Sequence, residues 1–276
     1  MEKILNLWQH LPYQVNPNII EWGTFQLRYY SLMYLVAFFF TYVLVSYRIR
    51  TERFPYTPEL IQDFFFWGIL GLILGARLGY VLFYNPLYYL RHPGEIFLPF
   101  RFRPHFAFVG ISGMSYHGGV LGVIVAALYY CEKRKIDFWE LADLFTPAIP
   151  LGYTFGRIGN FLNGELYGRI TSSPWGMYFP LAPGSSLRHP SQLYEAFFEG
   201  VVLFLILWAV RKRRPFPGFS LGLYIVGYGI FRFFLEFFRE PDAHLGFLWW
   251  GLSMGQILCL LMIFGGFTLI FVRAGK

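Results

Sequence analysis

The sequence is poor in charged residues and in cysteine. Only 14% of its 276 residues are charged and 56% are apolar, whereas about 25% of residues are charged in soluble domains. This composition excludes an ordinary soluble domain. Cys131 and Cys259 are too few for a disulfide framework, and neither they nor the six histidines are clustered with the spacing of metal ligands. No metal and no organic cofactor is implied.

Two further features are missing. Residues 1–28 contain no short basic-then-apolar leader with a small-residue cleavage site, so we expect no cleaved signal peptide. The chain also shows no internal repeat, no low-complexity tract and no linker of soluble character. A single transmembrane domain over residues 1–276 is therefore the simplest organisation.

Long apolar segments are abundant. A hydrocarbon core of ~30 Å needs about 20 apolar residues per helix, and we predict an all-α, polytopic membrane protein with seven transmembrane helices. The predicted spans are residues 29–47, 60–84, 115–131, 138–156, 192–210, 219–238 and 250–272. Residues 85–114 are predicted to form an outer interfacial arm and residues 157–191 a small outer head.

The net charge of +7 is explained by topology and does not indicate a nucleic-acid partner. Short basic clusters follow alternate spans, at residues 48–53, 133–135, 211–214 and 273–276. The positive-inside rule assigns these clusters to the cytoplasm, which places the N-terminus outside and the C-terminus in the cytoplasm. More arginines remain on the outer side than this rule favours, so they have another purpose.

The sixth span carries a polar stripe. Its members are spaced i, i+4, i+8, i+12 and i+15 and so share one helical face; they are Tyr224, Tyr228, Arg232, Glu236 and Arg239. Polar side chains within a span face the bundle interior or a water-filled cavity. One carboxylate between two guanidinium groups leaves net positive charge, which favours a bound anion. An internal ion-pair ladder that only joins helices is the alternative.

A second polar group follows the fourth span, in the run GRIGNFLNGELYGR at residues 156–169. Arg157, Asn160 and Gly164 are spaced i, i+3 and i+7, among glycines that expose the main chain. Arginine offers a phosphate a planar, bidentate fork, so this run predicts chemistry on a lipid headgroup. Glu165 would hold an arginine in place or act as an acid or base. A polar helix end at the interface is the alternative.

His117 stands at the outer mouth of the third span. An imidazole with an unperturbed pKa of ~6.5 suits a general base near neutrality, and a hydrogen-bonding role is the alternative. In the fifth span, Gln192, Glu195 and Glu199 form a further short polar stripe at i, i+3 and i+7.

Small and ionisable residues within spans predict helix packing. Glycines recur every three or four residues in the second span and again in the third, which favours close helix approach; they are Gly68, Gly71, Gly75, Gly79, Gly118 and Gly122. Asp63 and Asp143 are expected to pair or to register helices. Arg77 is a candidate for the cationic site.

Two other functions compete with lipid chemistry. A transporter or flippase for an anionic lipid needs the same arginines, but it predicts inverted repeats with broken spans, and the sequence shows no such symmetry. An intramembrane serine protease would use Ser112, in the short pattern GISG. No histidine falls in the middle of a span to serve as its base.

Four blocks of the sequence resemble the bacterial prolipoprotein diacylglyceryl transferase family. In the family's order they are YHGG at 116–119, GRIGNFLNGELYGR at 156–169, RHPSQLYE at 188–195 and FRFFLEFFR at 231–239. The likeness extends from Tyr30 to the seventh span. The resemblance implies seven spans with the N-terminus outside, in agreement with the charges, and a site toward the outer leaflet of the bacterial inner membrane.

The resemblance also implies the reaction, the first step of lipoprotein maturation. The diacylglyceryl group of phosphatidylglycerol would move to the lipobox cysteine thiol of a preprolipoprotein, forming a thioether and releasing glycerol phosphate. By motif position, the catalytic residues would be His117, Arg157 and Arg232. The substrate-binding residues would be Tyr30, Asn160, Glu165, Gly168, Tyr228, Glu236 and Arg239.

This reaction predicts a division of labour among the residues. The departing phosphate ester needs cations placed in advance, which we assign to Arg157 and Arg232. The cysteine thiol, with a pKa of ~8.5, must be deprotonated, which we assign to His117. Glu236 and Glu165 are predicted to orient the arginines.

Overall fold

The computed structural model describes residues 2–22, 25–52, 54–98, 100–101, 107–108, 113–240 and 251–275. Ser112 and part of the predicted arm lie outside these residues. The chain divides into two compact units, one of residues Phe54–Leu141 and one of Met1–Arg53 with Ala142–Lys276. The single domain over residues 1–276 stays a prediction.

The described residues are mostly helical. In chain order the elements are α1 (Glu2–Gln9), α2 (Leu11–Gln14), β1 (Asn18–Trp22), β2 (Phe25–Arg28), α3 (Tyr29–Thr51), α4 (Pro58–Tyr84), α5 (Pro86–Arg91), a 3-10 helix (Pro93–Ile96), β3 (Phe100–Arg101), β4 (Ala107–Phe108), α6 (Tyr116–Arg134), α7 (Phe138–Phe145), a 3-10 helix (Thr146–Ala148), α8 (Ile149–Leu162), α9 (Ser191–Glu195), a π-helix (Ala196–Val202), α10 (Leu203–Val210), α11 (Phe219–Leu235) and α12 (Met254–Ala274). The strands form two antiparallel pairs, β1 with β2 and β3 with β4.

Within the described part of the chain, four helical segments are long and apolar enough to cross a membrane. They are Tyr29–Thr51, Pro58–Tyr84, Ser191–Val210 and Met254–Ala274. Helix α11 is also apolar but has only 17 residues. The protein is therefore a multi-pass, helical membrane protein, and the number of seven spans stays a prediction.

The predicted fourth span is two helices. Helix α7 ends at Phe145, a 3-10 turn follows, and α8 begins with Pro150 in its first turn. Pro147 and Pro150 account for this break, because proline lacks the N–H that would continue the helical hydrogen bonds. Helix α8 then runs to Leu162, so the prediction that the outer head begins at residue 157 is wrong.

The glycines of the 156–169 run explain this later end. Gly156 has open space beside it and Gly159 lies against α3, and both are accommodated within the helix. The chain turns only at Gly164, whose φ of +68° lies in the left-handed region that favours glycine. The head therefore begins at residue 163, and Arg157 and Asn160 are helical.

Helix α12 begins later than the predicted seventh span, which started at residue 250, outside the described residues. The Ser253 hydroxyl accepts the Gln256 N–H at 3.2 Å, and the Gln256 side chain accepts the Ser253 N–H at 3.0 Å. This reciprocal capping box satisfies two main-chain donors. It fixes the start of α12 at Met254.

A buried ion-pair cluster joins helix ends of the larger unit. Arg48, with no exposed surface, donates to Glu52 at 3.0 Å and to two main-chain carbonyls of α7 at 2.7 and 2.5 Å. The Arg211 Nε donates to the same Glu52 carboxylate at 3.0 Å. These contacts tie the ends of α3, α7 and α10 together.

Asp143 adds a further helix to this end of the unit. Its carboxylate accepts the main-chain N–H groups of Gly218 and Leu221, at 2.9 and 3.1 Å, and so satisfies donors at the start of α11. The Arg273 Nε, at the end of α12, donates to the Pro217 carbonyl at 2.9 Å. The expectation that Asp143 registers helices is confirmed.

In the smaller unit, glycines allow α4 and α6 to touch along their main chains. A methyl group added at Gly75 would lie 2.6 Å from the Gly122 Cα, and one added at Gly79 would lie 2.7 Å from the Gly118 Cα. The predicted close packing is confirmed for these positions. Gly68 has open space beside it and takes no part in this contact.

We therefore expect Gly75→Ala to destabilise the protein. The added methyl has no room against the α6 main chain, and such overpacking costs about 1–3 kcal/mol. The unfolding midpoint of the purified protein in detergent should fall. Gly68→Ala adds the same methyl where space is open and should keep the midpoint at or above that of the wild type. Equal midpoints for the two variants would contradict the tight contact.

Arg77 binds main-chain carbonyls of the chain between α4 and α6. Its Nε, Nη2 and Nη1 donate to the carbonyls of Ile96, Glu95 and Gly113 at 2.5, 2.6 and 3.2 Å, and its guanidinium lies 4.9 Å from the centre of the Tyr89 ring. Arg77 thus ties α4 to Glu95 and Ile96 on one side and to Gly113 on the other. Its place in the cationic site stays a prediction.

Candidate active site

The head that follows α8 packs around an apolar core that it shares with the end of α8. Phe161, Met177 and Phe179 are buried together, and the N-terminal helices pack against them. The Trp8 Nε1 donates to the Trp175 carbonyl at 3.1 Å. These contacts fix the head against the end of α8, where Arg157 and Asn160 of the 156–169 run lie.

Two arginines from different helices meet at one buried carboxylate. The Arg157 Nε, on α8, lies 2.8 Å from Oε2 of Glu195, and the Arg232 Nη1, on α11, lies 3.2 Å from Oε1 of the same residue. Glu195 is the last residue of α9 and is only 1% exposed. The structure therefore brings Arg157 and Arg232 together.

Arg157 is held on two sides of its guanidinium. Its Nε donates to the Tyr153 hydroxyl at 2.7 Å, and its Nη1 lies 3.5 Å from Oδ1 of Asn160. The guanidinium stacks 4.8 Å from the centre of the Tyr153 ring. The Tyr153 hydroxyl donates in turn to Glu199. A planar group with this many contacts has little rotational freedom.

Arg232 and Arg239 complete the cationic group. Arg232 lies 3.6 Å from Glu199 and 3.3 Å from Glu236. The Arg239 Nε is more distant, at 3.9 Å from both Glu195 and Glu236. These two side chains are 13% and 20% exposed, so neither is sealed from a ligand.

The described cluster contains three arginines and three glutamates. Arg157, Arg232 and Arg239 outnumber Glu236 by two charges, and the carboxylates of Glu195 and Glu199 in the fifth span balance these two, as buried charges require. With its carboxylates ionised, the described cluster therefore carries no excess of positive charge, and the predicted excess is wrong. Each guanidinium has five N–H donors, so donors remain for a further acceptor.

A π-helical turn, Ala196–Val202, carries Glu199. Such turns are rare and occur frequently at functional sites. The Thr154 hydroxyl of α8 lies 3.3 Å from the Ala196 carbonyl, and a methyl group added at Gly200 would lie 3.0 Å from the Thr154 Cβ. This close contact sets the glutamates of the fifth span against α8.

Arg239 is held by the head. Helix α11 ends at Leu235, and Arg239 pairs with Gly168 in a β-bridge. The Arg169 N–H donates to the Phe238 carbonyl at 2.9 Å, and the Arg169 Nε to the Arg239 carbonyl at 2.5 Å. The prediction that Arg239 shares a helical face with Arg232 is wrong, because the head binds the main chain beyond the helix end.

Glu165 binds amides. Its Oε1 accepts from Asn160 at 2.9 Å and from Asn163 at 3.3 Å, and its carbonyl accepts from Gln192 at 2.6 Å. The sequence predicts that Glu165 orients an arginine or acts as an acid or base. In the structure, Asn160 lies between Glu165 and Arg157 and links them.

Two predicted substrate-binding tyrosines adjoin α8. Tyr30 of α3 packs against Gly159, where an added methyl group would lie 3.0 Å from the tyrosine ring, and its hydroxyl is 3.0 Å from that of Tyr34. The Tyr228 ring meets the Tyr153 ring edge to face at 5.8 Å. Tyr30 therefore lies beside Gly159, two residues after Arg157, and Tyr228 lies beside Tyr153, which contacts Arg157.

His189, in the head, has a hydrogen-bonding role. Its Nδ1 lies 3.3 Å from the Tyr194 hydroxyl, and its carbonyl accepts the Gly168 N–H at 2.8 Å. Burial lowers the pKa of His189 below its ordinary value, so the imidazole is neutral at neutral pH.

His117 belongs to the smaller unit. It lies in the first turn of α6, which begins where the Ser115 hydroxyl accepts the Gly118 N–H at 3.3 Å. The imidazole is exposed and meets the Tyr116 ring edge to face at 5.7 Å. Its role as the base stays a prediction.

Four residues in and around the cluster have no role that the sequence assigns. They are Tyr153, Gln192, Glu195 and Glu199. The spacing of the last three is a usable signal, because polar residues on one face of an apolar span must find partners inside the bundle. Tyr153 gives no signal, since a tyrosine within a span is ordinary.

Comparisons with known proteins agree with the motifs. A family model described as prolipoprotein diacylglyceryl transferase matches residues 17–272. Three relatives named phosphatidylglycerol–prolipoprotein diacylglyceryl transferase are similar over nearly their whole length. The relative from Chlorobaculum tepidum is 53% identical over 95% of this chain and 91% of its own. That from Treponema denticola is 46% identical (91% and 90%), and that from Campylobacter jejuni 44% (94% and 93%). The chain belongs to the prolipoprotein diacylglyceryl transferase family.

Proposed function

We propose that this protein transfers the diacylglyceryl group of phosphatidylglycerol to the lipobox cysteine thiol of preprolipoproteins, the first step of lipoprotein maturation. Membership of the family and identity to relatives so named over almost the whole chain support this. The structural observation that carries it is the meeting of Arg157 and Arg232, from separate helices, at the buried carboxylate of Glu195.

The chemistry requires cations at the leaving group. The thiolate sulfur attacks the glyceryl carbon that bears the phosphate ester oxygen, so a C–S bond forms and the C–O bond breaks. The electron pair leaves with the oxygen as glycerol phosphate, and the thiol proton passes to a base. The phosphate changes from a diester with one negative charge to a monoester with about 1.5–2. Cations placed in advance stabilise this growing charge.

Arg157 and Arg232 are suited to that task. Their positions are set by buried carboxylates, so they need little reorganisation when charge develops. Arg239 provides a third cation. Its ion pairs with the protein's carboxylates, at 3.9 Å, are longer than those of Arg157 and Arg232. The remaining residues are proposed to shape the phosphatidylglycerol site around these arginines; they are Tyr30, Asn160, Glu165, Gly168, Tyr228 and Glu236.

The proposed topology has seven spans in the bacterial inner membrane, with the N-terminus outside, the C-terminus in the cytoplasm and the site toward the outer leaflet. One feature of the larger unit supports it. Arg48, Arg211 and Arg273 lie at the helix ends that meet Glu52 and the start of α11. The site arginines lie near the opposite ends of α8 and α11.

The test is a transfer assay with purified protein in proteoliposomes. Phosphatidylglycerol labelled separately in its acyl chains and its headgroup is incubated with a preprolipoprotein peptide containing a lipobox. The proposal requires acyl label on the peptide and release of one glycerol phosphate per modified peptide. A peptide with serine in place of the cysteine should receive no label. Headgroup release without peptide modification would indicate a lipid hydrolase and reject the proposal.

We expect His117→Gln to slow transfer by about tenfold at pH 7 and much less at pH 9. A free thiol with a pKa of ~8.5 is about 3% ionised at pH 7 and about 75% at pH 9, so the need for a base falls as pH rises. The measurement is kcat/KM for the peptide, for variant and wild type, across this range. A deficit that stays constant with pH would show that His117 does not accept the thiol proton.

A further inference from the structure

Among the described carboxylates, only that of Glu195 lies within 4 Å of all three site arginines. Its Oε2 faces the Arg157 Nε at 2.8 Å, and its Oε1 faces the Arg232 Nη1 at 3.2 Å and the Arg239 Nε at 3.9 Å. The side chain is 2% exposed. Each of its oxygens therefore holds a different helix or segment.

The short helix that carries Glu195 is anchored at both ends. At its start, the Gln192 side chain donates to the Glu165 carbonyl at 2.6 Å. At its end, the Thr154 hydroxyl lies 3.3 Å from the Ala196 carbonyl. Because the main chain is held at both ends, the Glu195 carboxylate has few alternative positions.

We infer that Glu195 is a positioning residue that sets the spacing between the Arg157 and Arg232 guanidinium groups for the transferred lipid's phosphate. The inference rests on the proposed function. The two guanidinium groups carry like charges, which repel each other, and the Glu195 carboxylate between them attracts both. Without it the guanidinium groups separate, and a displacement of about 1 Å in such a site costs about 100-fold in rate.

Glu195 could instead act only by balancing the charge of the arginines. A substitution at Glu199 distinguishes this explanation from the proposed spacing role. Glu199 is as deeply buried and adds a second carboxyl group to the same cluster. Within the described residues, its carboxylate forms an ion pair with Arg232, at 3.6 Å, and accepts a hydrogen bond from Tyr153. Replacing Glu199 by glutamine therefore changes the cluster without removing the direct bridge that Glu195 forms between Arg157 and Arg232.

The experiment compares Glu195→Gln, Glu195→Asp and Glu199→Gln with the wild type in the labelled proteoliposome assay. Both Glu195 variants should lose about 100-fold in kcat, because glutamine lacks the charge and aspartate is too short to reach both arginines. KM for phosphatidylglycerol should fall in the two glutamine variants, since each leaves net positive charge. Glu199→Gln should lose no more than about tenfold in kcat. Folding is followed by gel filtration and by the unfolding midpoint.

Several results would overturn the inference. If Glu195→Asp keeps kcat within about threefold of the wild type, charge is sufficient and spacing is not the role. Equal losses of kcat in the two glutamine variants would likewise show that charge balance alone explains the effect. If both Glu195 variants fail to fold, the residue is structural and the inference is rejected. A wild type that modifies no peptide would instead reject the proposed function, and the inference with it.

Discussion

Replacing Arg157 by lysine is expected to lower kcat for diacylglyceryl transfer by about 10²- to 10³-fold, the range seen when one donor to a developing oxyanion is lost. The guanidinium of Arg157 contacts Tyr153 and Glu195 through Nε and Asn160 through Nη1. An ammonium group is a compact point charge and cannot hold these three partners and also present a planar fork to phosphate. The positive charge is kept, so the loss measures geometry.

The matched control is Arg134→Lys. The Arg134 side chain is 53% exposed and pairs with Asp63, and exposed ion pairs contribute only about 0–1 kcal/mol. This variant should transfer lipid at a rate within about twofold of the wild type. Both variants are assayed with labelled phosphatidylglycerol and peptide, after gel filtration shows that each is folded. Near-normal transfer by Arg157→Lys would contradict the phosphate clamp.

The meeting of Arg157 and Arg232 could be anticipated from the sequence. Charged side chains in apolar spans have favourable surroundings only in the bundle interior, so arginines of different spans are drawn to a common place. Their partners are harder to identify. The spacing of Glu195 and Glu199 shows that they share one face of their span, but it does not show which helix that face meets. Tertiary contacts such as the packing of the π turn on Thr154 determine this.

Local patterns also fail where tertiary contacts override them. The glycine packing predicted for the second span is correct at Gly75 and Gly79. Gly68 has the same spacing, but no atom of the described residues lies within 4 Å of a methyl group added there. The predicted stripe of the sixth span extends to Arg239, although α11 ends earlier because Gly168 pairs with the chain there. In each case the periodicity is real, and the partner that decides the outcome comes from a distant part of the sequence.

The second large effect is expected at Gly168, where Gly168→Ala should lower kcat by about 100-fold. A methyl group added there would collide with the Phe238 carbonyl and would lie 2.9 Å from both Cβ and the carbonyl oxygen of His189. Main-chain atoms cannot move aside without breaking the bridge to Arg239. The substitution therefore displaces Arg239, which we propose to be the third cation at the phosphate.

Gly265→Ala supplies the control for Gly168→Ala, because it adds the same methyl group within α12 where no atom of the described residues lies within 4 Å. Alanine is favoured over glycine in a helix by about 0.5–1 kcal/mol, so the unfolding midpoint should stay level or rise and transfer should continue. For Gly168→Ala, KM for phosphatidylglycerol should rise as kcat falls, since a displaced Arg239 weakens binding before and during the reaction. If a folded Gly168→Ala protein kept the kcat and KM of the wild type, the assignment of Arg239 to the phosphate site would be wrong.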